Sequence, residues 1–309
     1  MDNKSLKALL ASVILSGALS VPAWAADPSL QRFVGAEPTA FHDPAAAVDE
    51  LRKDLEAGDA EAIAKLLGLK ADEVKKSEDF GERLAELEDA ARQNLILEDM
   101  DDGAKIVLLG DLIWPFPFPL LKHDAGWRFD TLQGLEEVLA RRIGENELEA
   151  IHTLRNVGIA QAAYAQEDHD GDGVLEFAQK VLSEKGKQDG LYWDAAGNGE
   201  SPAGDLGDPA GIEDSPASEH GYFGYRYRVL KRQGGNIAGG KYGFVINGNM
   251  IAGQAMIAWP AKYGQTGIMT FVVSHHGAIY EKDMGPGTEQ AAKEIRSFNP
   301  DRRWEPVEE

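Results

Sequence analysis

Between Glu145 and Ala165 the apolar residues recur so that they fill one broad side of a helix. At about 100° per residue, Ala150, Ile151, Leu154, Val157, Gly158, Ala162, Tyr164 and Ala165 share that side, and Glu149, His152, Thr153 and Asn156 fall on the other. A stripe wider than the roughly 100° of an ordinary surface helix predicts a helix with a sheet laid against it. Gly158 and the alanines keep this face low, which predicts close approach by another backbone. His152 lies on the polar side and reads as a solvated histidine.

The helix empties into Asp168-His169-Asp170-Gly171-Asp172-Gly173-Val174-Leu175-Glu176. Oxygen-bearing side chains at alternate positions of a turning backbone converge on one point. Three carboxylates gathered there repel one another unless a cation sits between them. Calcium suits such all-oxygen, partly hydrated sites, whereas magnesium demands stricter geometry. The stretch resembles the first half of a calcium loop of the EF-hand or dockerin sort, in one copy. The bidentate glutamate expected at the twelfth position is Gln179, and the nearest acid, Glu176, stands at the ninth. Asp168, Asp170, Asp172 and Glu176 are therefore the candidate ligands of a Ca2+ ion. The alternative is an Asp/Gly turn that caps the helix and exposes its charge without an ion.

Residues 1–25 read as a secretory signal: Lys4 and Lys7 begin it, Ala8 to Val21 is apolar, and Ala23-Trp24-Ala25 is an A-x-A cleavage site. The apolar run is too short for a good membrane anchor, and the rest of the sequence offers no other span. A periplasmic or secreted protein is expected. The chain has no cysteine, so disulfides, lipidated cysteine and thiol chemistry are excluded. A formal net charge of −21 argues against nucleic acid and anionic lipid as partners.

The remaining length suits two domains, and the order of elements predicts an α+β chain. Residues 26–143 form the first expected domain. Residues 26–45 read as extended, and Asp43-Pro44 is an N-cap followed by proline at the first helical position. Helices follow through Gly58, over Ala60 to Leu67 and over Phe80 to Asn94. The acidic pairs Glu98-Asp99 and Asp101-Asp102 read as solvated turns. Strands are predicted at Lys105 to Leu109 and Gly126 to Asp130, and a helix at Leu132 to Ile143. Trp114-Pro115-Phe116-Pro117-Phe118-Pro119-Leu120 cannot be helical, because alternate residues lack an N–H. It predicts an edge strand or polyproline-like ribbon with its three aromatics on one side, forming either a partner-binding edge or a plug for the domain core. Helices followed by strands resemble the cone-shaped nuclear-transport-factor/cystatin-like class.

The second expected domain, residues 144–309, begins with the long helix. One or two helical turns are predicted over Phe177 to Leu182, then a long irregular connection over 183–220 with Tyr192-Trp193 as its bulky pair. Strands follow at Tyr222 to Lys231, Tyr242 to Asn247, Met250 to Trp259, Ile268 to Ser274 and Ala278 to Glu281. Asn247-Gly248-Asn249 and His276-Gly277 are turns between them. A long helix, an irregular loop and a four-stranded antiparallel meander resemble the globular part of type IV pilins and pseudopilins. Glu145, Glu147 and Glu149 replace the apolar start of a pilin helix, so filament assembly through that helix is not expected.

Several phrases in order are similar to a family of exported bacterial proteins catalogued as domain of unknown function 2950. They include WPFPFPL at Trp114 to Leu120, GWRFDT at Gly126 to Thr131, RRIGENEL at Arg141 to Leu148 and YAQEDHDGDGVLEFAQ at Tyr164 to Gln179. DGLYW at Asp189 to Trp193, GYFGYRYRVL at Gly221 to Leu230 and GQTGIMTFVV at Gly264 to Val273 continue the series. The resemblance implies an exported protein and supplies neither a catalytic residue nor a substrate.

The sequence holds no G-x-S-x-G elbow, H-E-x-x-H pair, P-loop or dinucleotide fingerprint. His275-His276 and His123-Asp124 read as turn residues. These features point to a non-enzymatic binding or assembly module that engages another envelope component. The competing class is a periplasmic hydrolase with a carboxylate pair near the domain junction. Acid pairs are expected by composition alone in a chain with 52 Asp and Glu, so sequence does not single one out.

Overall fold

The computed structural model describes residues 29–76, 80–193, 199–204 and 221–308. The expected export signal at 1–25 lies outside these residues, as does much of the 183–220 connection. The chain divides into two compact units, Met1–Ala140 and Arg141–Glu309. Both helices and antiparallel sheets are present, so the chain is α+β.

In the first unit a short 3-10 turn, Leu30–Phe33, precedes four helices: α1 Pro44–Glu56, α2 Ala60–Leu67, α3 Ala71–Val74 and α4 Phe80–Gln93. The helix starts follow the expected chemistry. Asp43 accepts the Ala46 N–H at 2.9 Å with Pro44 at the first position, and Asp59 accepts from Glu61 and Ala62. Strands β1 Leu95–Asp99, β2 Lys105–Leu109, β3 Trp114–Pro115, β4 Leu120–His123 and β5 Gly126–Phe129 make an antiparallel sheet. Its order is β1-β2-β4-β5, with β3 also paired to β2. Leu51, Leu55, Leu109, Leu120 and Phe129 form its buried centre.

Two expectations change here. Glu98 and Asp99 are not in a turn: they end β1, paired with Ile106 and Lys105, because Leu95 and Leu97 anchor that strand on the core. The proline ribbon does fill the core with Phe116 and Phe118, 2% and 5% exposed, but Trp114 stays on the surface. Phe116 still donates its N–H to the Val107 carbonyl of β2 at 2.7 Å, but β3 ends at Pro115, so strict alternation no longer aligns all three rings.

The two helices expected at 132–143 and from 145 onward are one, α5, Thr131–Tyr164. Gly144 does not break it. A mid-helix glycine costs only about 1 kcal/mol, and its neighbours are good helix formers. The division between the units falls inside this helix.

In the second unit the later part of α5 lies on a sheet of β6 Tyr225–Leu230, β11 Ala255–Pro260, β12 Met269–Ser274 and β13 Ile279–Asp283, extended by β14 Glu305–Pro306. All neighbours are antiparallel, as expected. Between β6 and β11 lie two short ladders, β7 Arg232–Gln233 with β8 Tyr242–Gly243, and β9 Val245–Ile246 with β10 Asn249–Met250. Every residue of β11 is buried. Met256 and Ala258 meet the helix through Ala150, Leu154, Val157, Ala160 and Tyr164. Ala255, Ile257 and Trp259 face a second core with Phe244, Phe298 and Ala292 of α6, Thr288–Glu294.

The apolar face of α5 is narrower than its sequence suggests. Thr153 is buried and Ala162 is exposed, and a Cβ added at Gly158 would meet nothing within 4 Å. The sheet touches the stripe 150-154-157-160/161-164, the narrow i, i+3/i+4 set. A single strand over Met250 to Trp259 is replaced by β10 and β11. Between them Gly253 adopts φ +131° with the His275 ring against it, a backbone state that interrupts the ladder. The Asn247-Gly248 turn is as expected: both residues have positive φ, 54° and 101°, as a two-residue hairpin turn requires.

Candidate metal centre

The last turn of α5 delivers the chain into the aspartate loop. One carboxylate oxygen each from Asp168, Asp170 and Asp172 lie within 4.8 Å of one another, all three residues being exposed. The bend is set locally. Asp168 accepts the Gly171 N–H at 2.7 Å and the Gly173 N–H at 2.9 Å, and Asp172 accepts the Val174 N–H at 2.8 Å. Gly171 and Gly173 both adopt left-handed φ, 79° and 84°, where a side chain would be strained. The N–H groups of Gly173 and Gly171 hold the Asp168 carboxyl below its ordinary range.

Beneath the loop, His169 stacks on Tyr164 with ring centroids 4.0 Å apart and leans on Trp193 at 5.5 Å. Tyr164 donates to the Gln188 carbonyl at 2.8 Å. Burial pushes its hydroxyl well above the usual phenol range, helped by the carboxylates of Glu176, Asp189 and Asp170.

Glu176 is not part of the three-carboxylate group. Its Oε2 accepts the Met250 N–H at 2.7 Å. Gln179, at the twelfth position, donates to the Gly248 carbonyl at 2.6 Å. Asp172 accepts from the Asn249 side-chain amide at 2.6 Å, and the Phe177 N–H donates to Met250 at 2.9 Å. The loop's second half is thus laced to the β9–β10 hairpin. These contacts keep residues 177–182 from forming the expected helical turns. Leu182 instead bridges in parallel to Tyr192.

Gln161 is the main residue that the sequence does not announce. Its amide bonds both the N–H and the carbonyl of Ala178, each at 2.9 Å, and it is 1% exposed. The available signal was its spacing of seven from Leu154, which places a polar side chain on the buried face. The other expectations are simpler. His275 and His276 sit in the β12–β13 turn, and burial and the neighbouring His276 lower the His275 pKa. In the described part of the irregular connection Asp189 and Glu184 pair with lysines: Lys180 reaches Asp189 at 2.7 Å and Glu184 at 2.9 Å. The Lys187 and Lys180 ammonium groups pull the Glu184 carboxyl down to about 2.

A family model described as protein of unknown function (DUF2950) matches residues 38–307. The chain belongs to that family. The match covers nearly all of the described residues of both units, including the aspartate loop and the hairpin that it grips. No curated protein and no solved structure matches the chain. Among the described residues no helix is long and apolar enough to cross a membrane.

Proposed function

We propose that this family member is an exported envelope protein that acts by binding or assembly, with a calcium ion ordering its Asp168–Glu176 loop. The observation that carries the calcium reading is the approach of three carboxylate oxygens to within 4.8 Å of one another on the solvent side of the loop. Three like charges at that spacing favour a hard cation held by Asp168, Asp170 and Asp172, with water completing the shell. An affinity on the order of 10⁻⁴–10⁻³ M, the range of extracellular calcium modules, is expected of so exposed a site. Such an affinity fits an ion-replete exterior. Glu176, Gln179 and Asn249 would then couple ion binding to the β9–β10 hairpin.

Export is supported by the basic start, apolar run and A-x-A site of residues 1–25. A helix, an irregular loop and an antiparallel meander support the pilin-like reading of the second unit. Helices preceding a sheet support the cone-like reading of the first. The hydrolase reading gains little from the acids of the second unit. Glu147, half-buried, spends Oε1 on the N–H groups of Ile268 and Met269 at 2.8 and 3.0 Å, which is an architectural role.

Calorimetric titration of calcium into the full protein tests the ion. One saturable site, weakened at least tenfold in Asp170→Asn, is expected, and no heat of binding in the millimolar range would remove calcium from the account. Cell fractionation tests export: full-length protein retained in the cytoplasm would contradict it.

A further inference from the structure

We infer that a basic groove on the second unit binds a small phosphorylated sugar. The groove, about 560 Å³, is lined by Lys231, Arg232, Lys241, Tyr242, Val245 and Gln179. Its three cations stand out in a chain of net charge −21. Elsewhere several cations pair closely with acids, as Lys180 does with Asp189 and Lys293 with Glu289; what sets this groove apart is that three gather on one surface. Among the described residues none of Lys231, Arg232 and Lys241 has a carboxylate partner. Lys231 donates only to the neutral amide oxygen of Gln179, at 3.1 Å. Three uncompensated cations on one concave surface match a phosphate monoester, which carries close to two charges at neutral pH.

The cations are held by a fixed frame. Arg232 pairs with Gly243, and Gln233 with Tyr242, in the β7–β8 ladder. Gln233, 1% exposed, ties the intervening loop from inside through the Ala238 and Gly240 carbonyls at 3.0 and 2.8 Å. Tyr242 is braced edge-on by Phe244 at 5.6 Å and remains 37% exposed. With Val245 it forms an apolar wall beside the charges. A phosphate borne on a pyranose meets both surfaces at once, because the ring's C–H face packs on the phenol while its charge reaches the cations. The strongly acidic remainder of the chain disfavours long polyanions, whose charge extends beyond the roughly 8 Å screening length at physiological salt. A small ligand escapes that repulsion.

The groove shares Gln179 with the aspartate loop's grip on the hairpin, but the inference does not require a bound ion. The test is calorimetric titration of the full protein with glucose 6-phosphate, glucose and inorganic phosphate, in parallel in calcium and in chelator. Saturable binding of glucose 6-phosphate in at least one condition is expected, at least tenfold tighter than inorganic phosphate and with no binding of glucose. Arg232→Glu and Lys241→Glu should each weaken it at least tenfold while the melting curve stays unchanged, since both side chains are exposed. Absence of saturable binding in both conditions overturns the inference, as does equal affinity for glucose or for inorganic phosphate. Wild-type affinity in both variants, folded by their melting curves, overturns it too.

Discussion

The side-chain amide of Gln161 forms a two-way pair with the backbone of Ala178, accepting its N–H and donating to its carbonyl at 2.9 Å each. It imitates an antiparallel strand pair, with one helix side chain replacing a whole strand. The pair fixes where the aspartate loop leaves α5 and where it returns. Gln161→Ala leaves two buried backbone groups without partners, at about 1–3 kcal/mol each. Urea unfolding should show a loss of about 2–6 kcal/mol. A loss below about 0.5 kcal/mol would show that the loop is held elsewhere.

Gly134 in the first unit is a packing requirement. A Cβ built there falls inside the Phe118 ring, which is itself buried in the core. Gly134→Ala would normally favour a helix. Here the extra methyl must displace a core aromatic, so it should destabilise by about 1–3 kcal/mol. Gly158→Ala, on the same helix but with open space around it, should stabilise by a few tenths to about 1 kcal/mol. Thermal melts of the two variants should move in opposite directions, and equal shifts would refute the packing assignment.

These two glycines show where the sequence is informative. Capping at Asp43 and Asp59, the Asn247-Gly248 turn and the antiparallel meander are local chemistry, so each could be read from a few adjacent residues. Long-range grips could not. Gln161 on Ala178, Glu176 on Met250 and Phe118 on Gly134 join positions whose pairing is set by tertiary packing. Spacing therefore identified three aspartates as a group but assigned Glu176 to the ion, where the structure gives its Oε2 to the hairpin backbone. Similarly, periodicity assigned Ala162 to the core and Thr153 to solvent, because a helical wheel cannot say how much of a wide stripe the sheet covers.

Glu281 on β13 is an acid whose environment disfavours its charge. Burial raises its pKa, reinforced by the carboxylates of Glu147 and Glu305. A carboxyl raised in the folded state contributes full stability below its unfolded pKa and loses it as pH rises through the folded value. Glu281→Gln should therefore raise the melting midpoint at pH 7 and lose that advantage near pH 3. An equal advantage at both pH values would show that charge is not the cause.

The division of labour within the loop predicts unequal variants. Glu176→Gln retains an oxygen acceptor for the Met250 N–H and should leave calcium affinity within about threefold. Asp168→Asn or Asp170→Asn removes ligand charge and should weaken it at least tenfold. Calorimetry on the three variants distinguishes these outcomes, and a tenfold loss in Glu176→Gln would place Glu176 at the ion.

The most direct measurement is the melting midpoint of the protein in calcium and in chelator. At about one hundred times its dissociation constant, an ion bound only by the folded state adds roughly 2.7 kcal/mol. For a chain of this size that amounts to an upward shift on the order of 5 °C or more. The shift should fall to about half or less in Asp170→Asn. Superimposable melts with and without calcium would contradict an ion-ordered loop and leave the three aspartates as a bare, hydrogen-bonded turn.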